Sequence, residues 1–193
     1  MRSYCKGFTL LELVITLVIA AILMSIAIPS FTELMQRSSQ TSSYNALIGQ
    51  INYARAEAVK RGVVVSICPS TDGTACNSAA WEDGVLVFTD ADTDGDYEAG
   101  DSLLKVFPGA ATDIAITSVA FADTGAISFA GDGSLANVDG AGLIDTGTLL
   151  VCGPRGDTAA TGINISLMGQ SQKSVDTDAN GIVNDVDGSD ISC

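Results

Sequence analysis

The apolar residues of this chain fall into two regimes. From Phe8 to Ile28 they run almost unbroken, FTLLELVITLVIAAILMSIAI, and Glu12 is the one charge among them. At about 1.5 Å per residue a helix over that run spans roughly 30 Å, the hydrocarbon thickness of a bilayer. Arg2 and Lys6 precede it, and the flank beyond Ile28 carries little charge. The positive-inside bias then keeps the N-terminus cytoplasmic and the rest outside the cytoplasm. Pro29 cannot donate to a helix ladder and kinks or loosens a helix locally. From Phe31 to Arg61 the segment stays free of Gly and Pro except at Gly49, and Tyr44, Leu47, Ile48, Ile51, Ala54 and Ala58 recur at helical spacing. One face therefore packs on a core. Arg37, Gln40, Gln50, Arg55, Glu57 and Lys60 read as the polar remainder. Lys60 and Arg61 suit a helix C-terminus, and Gly62 suits the residue that ends it.

Beyond Gly62 the period changes. Short β segments alternate with Gly, Asp and Asn: Val63 to Cys68, Val85 to Thr89, Leu103 to Phe107, Ile114 to Phe121, Ala126 to Phe129, Leu149 to Cys152, and Ile163 to Leu167. This spacing predicts hairpins and an antiparallel sheet with one face buried against the amphipathic half of the helix, an α+β head.

Composition narrows the chemistry. The 193 residues hold 23 acidic and 9 basic side chains and no histidine, a formal net charge of −14. Without histidine there is no Ser-His-Asp triad, no Cys-His pair, no His-ligated zinc and no imidazole acid/base catalysis. After Gly62 only Lys105, Arg155 and Lys173 oppose twenty acids, so the head holds phosphate backbones away and direct nucleic-acid binding is not expected. Gly100-Asp101-Ser102-Leu103 spells an esterase signature, but no base exists to activate Ser102, and a turn leading into a strand accounts for it. Arg155-Gly156-Asp157 matches an adhesion tripeptide that recurs by chance in surface turns. No enzyme is expected.

Five cysteines are present, Cys5 ahead of the apolar run and Cys68, Cys76, Cys152 and Cys193 in the oxidising compartment. Four cysteines allow three pairings. Cys68 with Cys76 is favoured because it closes the Pro69 to Ala75 loop. Cys152 with Cys193 is favoured because it ties a polar tail to a core strand. Zinc is the weaker alternative, since no C-x-x-C spacing occurs.

Two acidic loops share a register. Asp90, Asp92, Asp94, Asp96, Glu98 and Asp101 follow D-x-D-x-D-G, with oxygen ligands at loop positions 1, 3, 5, 9 and 12 and Gly95 at position 6. Asp176, Asp178 and Asn180 repeat it around Gly181, with Asn184 and Asp187 at positions 9 and 12. Alternate side chains of a tight loop turn inward around a hard cation, which makes both loops candidate calcium sites. Against this, Asp stands where the loop wants a bidentate Glu, strands rather than helices flank the first loop, and Asp, Asn and Gly are common turn residues. No cofactor is required by either loop.

Gly7-Phe8-Thr9-Leu10-Leu11-Glu12, behind a short basic leader and ahead of an apolar helix, resembles the N-terminal signature of type IV prepilins and type II secretion pseudopilins. Ala54 to Gly62 with the strand ending at Cys68-Pro69, and Trp81 to Thr89 with Asp101 to Leu104, are similar to the GspH/FimT subfamily of minor pilins and pseudopilins. The resemblance implies the pilin fold, a long N-terminal helix packed on an antiparallel sheet head. It also implies cleavage by a prepilin peptidase between Gly7 and Phe8, N-methylation of Phe8, and an assembly role for Glu12. A carboxylate inside the apolar run costs about 2.5–3.5 kcal/mol and wants a partner. The new amino group on Phe8 of an adjacent subunit would supply one.

The expected organisation is a leader over residues 1–7, a membrane and filament-core helix over 8–28, its amphipathic continuation over 29–62, and a β-rich periplasmic head over 63–193. The chain is expected in the inner membrane by a single pass and then in a filament. Other pilins, the peptidase and the inner-membrane assembly platform would be its partners. Two alternatives stand beside this. One is a DNA-uptake minor pilin, although Gln170 and Gln172 stand where that function wants arginines. The other is a periplasmic calcium-binding β module released by ordinary signal peptidase at Ser25 and Ala27.

Overall fold

The computed structural model describes residues 7–78, 80–119, 121, 125–136 and 146–193. The basic residues Arg2 and Lys6, and Cys5, lie outside the described residues. The chain forms two compact units, the first ending at Ser38 and the second running from Ser39 to Cys193. One helix, α1 (Leu10–Arg61), contributes to both and continues through Pro29. In the first unit its apolar side chains are exposed, as is Phe8 ahead of it. It is the one helix among the described residues long and apolar enough to cross a membrane.

The second unit holds the end of α1 and eight strands: β1 (Val65–Pro69), β2 (Gly84–Thr89), β3 (Ser102–Pro108), β4 (Ala115–Val119), β5 (Ile127–Phe129), β6 (Gly147–Cys152), β7 (Thr161–Ile165) and β8 (Ser171–Lys173). Two short 3₁₀ turns, Trp81–Asp83 and Asp157–Ala159, precede β2 and β7. All pairings are antiparallel, but the strands form two sheets where the sequence predicted one: β3-β2-β1-β5 and β4-β6-β7-β8. In the first, Val65 pairs with Thr89 and Ile67 with both Val87 and Ile127. In the second, Leu149 pairs with Ser118 and Ile163.

One core joins both sheets to the helix. Leu47, Ile51, Ala54 and Ala58 of α1 pack with Val65, Ile67, Val85 and Val87 of the first sheet and Leu149, Val151, Ile163 and Ile165 of the second. The alternate residues of the same strands form a small cluster on each outer face. Cys68, Leu86 and Phe88 lie under Cys76 and Tyr97, and Leu150 and Cys152 lie beside Ile191 and Val183. Central strands covered on both faces read as continuous apolar runs, which explains VLVF in β2 and TLLV in β6. Disulfides Cys68–Cys76 and Cys152–Cys193 fasten the two covers, the pairings favoured from the sequence.

The helix turns two polar residues inward that the sequence placed on its outer side. Gln40 is buried, and its amide donates to the carbonyls of Val151 and Ala159 at 3.1 and 2.7 Å. Arg55 donates to the carbonyls of Gly133 and Met168 at 2.7 and 3.0 Å. Strand and loop ends leave carbonyls without ladder partners, and a buried one needs a donor. Gln40 and Arg55 provide those donors, so polarity there marks packing rather than exposure.

Candidate functional site

At the N-terminus the helix start is set by Thr9, whose hydroxyl accepts the Glu12 amide N–H at 3.2 Å. A threonine before the first turn and an acid at its third residue is a helix-start pattern, because both relieve the unpaired N–H groups there. Gly7 and Phe8 lie ahead of the helix, so the Gly7–Phe8 bond is outside it. Glu12 is exposed among exposed leucines. Thr16, Ser25 and Thr32 donate their hydroxyls back to Leu13, Ile22 and Pro29 carbonyls at 2.7–2.8 Å. These bonds satisfy the hydroxyls within the helix, as an apolar surrounding requires. Glu12 makes no such bond through its carboxylate among the described residues, and it remains the polar group the helix leaves open.

The first acidic loop closes on Asp90, which is 3 % exposed. Its carboxylate accepts Ser66 Oγ at 2.6 Å and the N–H groups of Thr93 and Gly95 at 2.7 and 3.1 Å. Thr93 and Gly95 both take positive φ, 67° and 83°, which Gly95 does at no steric cost. Carboxylate oxygens of Asp90, Asp92 and Asp94 come within 4.8 Å of one another. Burial pushes the Asp90 carboxyl up from its ordinary value, and Asp92 and Asp94 push Glu98 up by repulsion. Asp101 instead turns its carboxylate onto the Ala91 and Glu98 N–H groups. Asp96, Glu98 and Asp101 do not join the convergent group. Three carboxylates on a tight loop offer the oxygen donors a hard cation takes.

The second loop has the same backbone. Asp176 accepts the N–H groups of Ala179 and Gly181 at 2.7 and 2.8 Å, with positive φ at both. These bonds, that to Gly181 first, hold the Asp176 carboxyl below its ordinary value. Position 9 differs from expectation. Asn184 is buried, accepts from the Thr177 N–H and hydroxyl, and donates to Asp190. Asn180 donates to both Asp178 and Asp190. Asp190, rather than Asp187, therefore faces this loop. Asp190 lies beyond the twelve-position register, so the Asp and Gly spacing does not point to it.

The remaining motifs are absorbed by the fold. Ser102 opens β3, its N–H on Thr89 Oγ1. Arg155 donates to Gln40 Oε1, and Asp157 accepts the Cys193 N–H, so two of the three adhesion-tripeptide residues are engaged internally.

A long N-terminal helix leading into antiparallel sheets tied by disulfides defines a pilin-class protein. The solved type IV minor pilin FimU of Pseudomonas aeruginosa strain PAO1 has the same fold, with a TM-score of 0.54 at 20% identity over 72% of this chain and 90% of that one. A second crystal form of FimU gives 0.51 at 20% identity, over 70% and 92%. The minor pseudopilin EpsH of the Vibrio cholerae type 2 secretion system aligns at 0.45 and 8% identity, over 70% and 95%, a likeness too weak to place the fold. The prokaryotic N-terminal methylation motif matches residues 2–28, and the family described as type II transport protein GspH matches residues 43–181. This chain belongs to the GspH family. It is a structural minor pilin or pseudopilin.

Proposed function

We propose that this chain is made as a prepilin whose leader, residues 1–7, is removed by a prepilin peptidase between Gly7 and Phe8. Phe8 is then N-methylated, and residues 8–28 hold the protein in the inner membrane, N-terminus cytoplasmic and head periplasmic. The assembly platform moves it from there into a type IV pilus or type II secretion pseudopilus, beside other pilins. The observation that carries this reading is a helix surface of exposed leucines, isoleucines and valines bearing one unpartnered carboxylate, Glu12. A buried acid is tolerated when a cation meets it, and the amino group of Phe8 on an adjacent subunit is the cation that cleavage creates. Burial among neighbouring helices removes the apolar surface from water and lipid together.

The test is Glu12→Ala. Processing at Gly7 proceeds as in the wild type, while incorporation into filaments falls about tenfold or more, as expected when one partner of a buried pair is lost. Wild-type incorporation of that variant contradicts the pairing.

A second role belongs to the first acidic loop. The convergence of Asp90, Asp92 and Asp94 supports a calcium ion held by all-oxygen donors, rigidifying the loop over the first sheet. Chelation tests it by lowering the melting temperature.

A further inference from the structure

Beyond β8 the chain folds back over the outer face of the second sheet as a strap, residues 175–193, whose Val183 and Ile191 pack with Leu150, Cys152 and Ala160. Its hydrogen bonds are mostly internal. Asn184 N–H donates to Val175 O, Ile191 N–H to Val183 O, and the side-chain amides of Asn180 and Asn184 both donate to Asp190. Outward, Val186 N–H donates to Thr148 Oγ1 of the sheet at 3.1 Å, and Cys193 N–H to Asp157 Oδ1 of the second 3₁₀ turn at 2.7 Å.

Ile191 is the strap's one buried apolar side chain. Ordering a segment costs conformational entropy at every residue, and one isoleucine with the bonds of Val186 and Cys193 does not offset that cost for the whole strap. The remaining fastener is the disulfide Cys152–Cys193, beside Ile191. Its surroundings differ from those of the other disulfide. Cys193 is exposed, whereas Cys68 is wholly buried and Cys76 half-buried, its sulfur 3.6 Å from Gly95 O. A disulfide is opened by a thiolate that reaches one of its sulfurs, so access separates the two.

We propose that Cys152–Cys193 is a redox latch: a dithiol opens it ahead of Cys68–Cys76, and opening it frees residues 175–193 and bares Leu150 and Ala160. A thiolate of the dithiol attacks Cys193 Sγ, and Cys152 leaves as a thiolate that takes up a proton. The second thiol of the reagent then displaces Cys193, which is protonated in turn. The dithiol is oxidised to its own disulfide, and its electron pair reduces the cysteine pair to thiols. The shared core stays closed, because Leu149, Val151 and Ile163 belong to the inner face of the same sheet. The latch goes beyond the filament reading and does not depend on it.

The full chain in detergent micelles is exposed to dithiothreitol for increasing times and quenched with iodoacetamide, and mass spectrometry locates the alkylated cysteines. Cys152 and Cys193 are expected to alkylate together, about tenfold or more faster than Cys68 and Cys76. Amide hydrogen exchange at that stage is expected to find Val186 and Ile191 unprotected and the amides of β1 and β2 still protected. Equal rates for the two disulfides, or Cys68–Cys76 opening first, overturn the latch. A strap that stays protected after Cys152–Cys193 has opened overturns it as well, since the bond is then not the fastener. Loss of protection in β1 and β2 at the same stage also overturns it, since the bond then holds the whole head together rather than one cover.

Discussion

The residues up to Ser38 and those beyond it use the same apolar side chains to opposite effect. Leu10 is 82 % exposed and Ile26 66 %, whereas Ile67 and Leu149 are wholly buried. Burying one such side chain is worth about 1.5–3 kcal/mol. The second unit collects that gain within its own chain, around one core shared by two sheets and closed by two disulfides. The first unit leaves it uncollected. On the function proposed above, its sequence is fitted to a burial that other molecules complete, bilayer lipids first and neighbouring helices afterwards. The difference separates what holds this protein folded from what makes it assemble.

Paired truncations sharpen the contrast most strongly. Leu149→Ala leaves a cavity in the shared core and lowers stability by about 3–5 kcal/mol, seen as an earlier thermal transition. Ile19→Ala, equally apolar but exposed, leaves that transition unmoved and lowers incorporation into filaments instead. Equal losses of thermal stability from both would erase the distinction between the units.

The acidic loops give a smaller effect that refines it. At about 1 mM calcium and a dissociation constant of about 10⁻⁴ M, the bound ion adds about 1.4 kcal/mol, lost on chelation as a lower melting temperature. Asp92→Asn or Asp94→Asn abolishes that calcium dependence. Asp178→Asn, in the loop where no three carboxylates converge among the described residues, preserves it. A melt indifferent to chelator makes both loops plain turns.

The helix was legible in the sequence because its signals are local: an unbroken apolar run, then Leu47, Ile51, Ala54 and Ala58 at helical spacing, then Gly62. Most strands were legible for the same reason. Their partition into two sheets was not. β1, β2 and β6 are covered on both faces, so no alternation tells which neighbour lies on which side. β8, Ser-Gln-Lys, is a polar edge strand that exists through its register with Ile163 to Ile165 and carries no apolar signal of its own. Gln40 and Arg55 were misplaced because hydropathy cannot distinguish a solvated polar side chain from one that answers a buried carbonyl. At the candidate site the loop backbones followed directly from Asp and Gly spacing. Which side chains each loop engages depended on distant residues, Ser66 for the first loop and Asp190 for the second.

Mass spectrometry of the N-terminal peptide from membrane-extracted protein decides whether this chain matures as a prepilin. Maturation as a prepilin gives a chain that begins at Phe8 and carries one methyl group on its amine. A mature chain that starts at or after Ile28 has lost the apolar helix and contradicts a filament role.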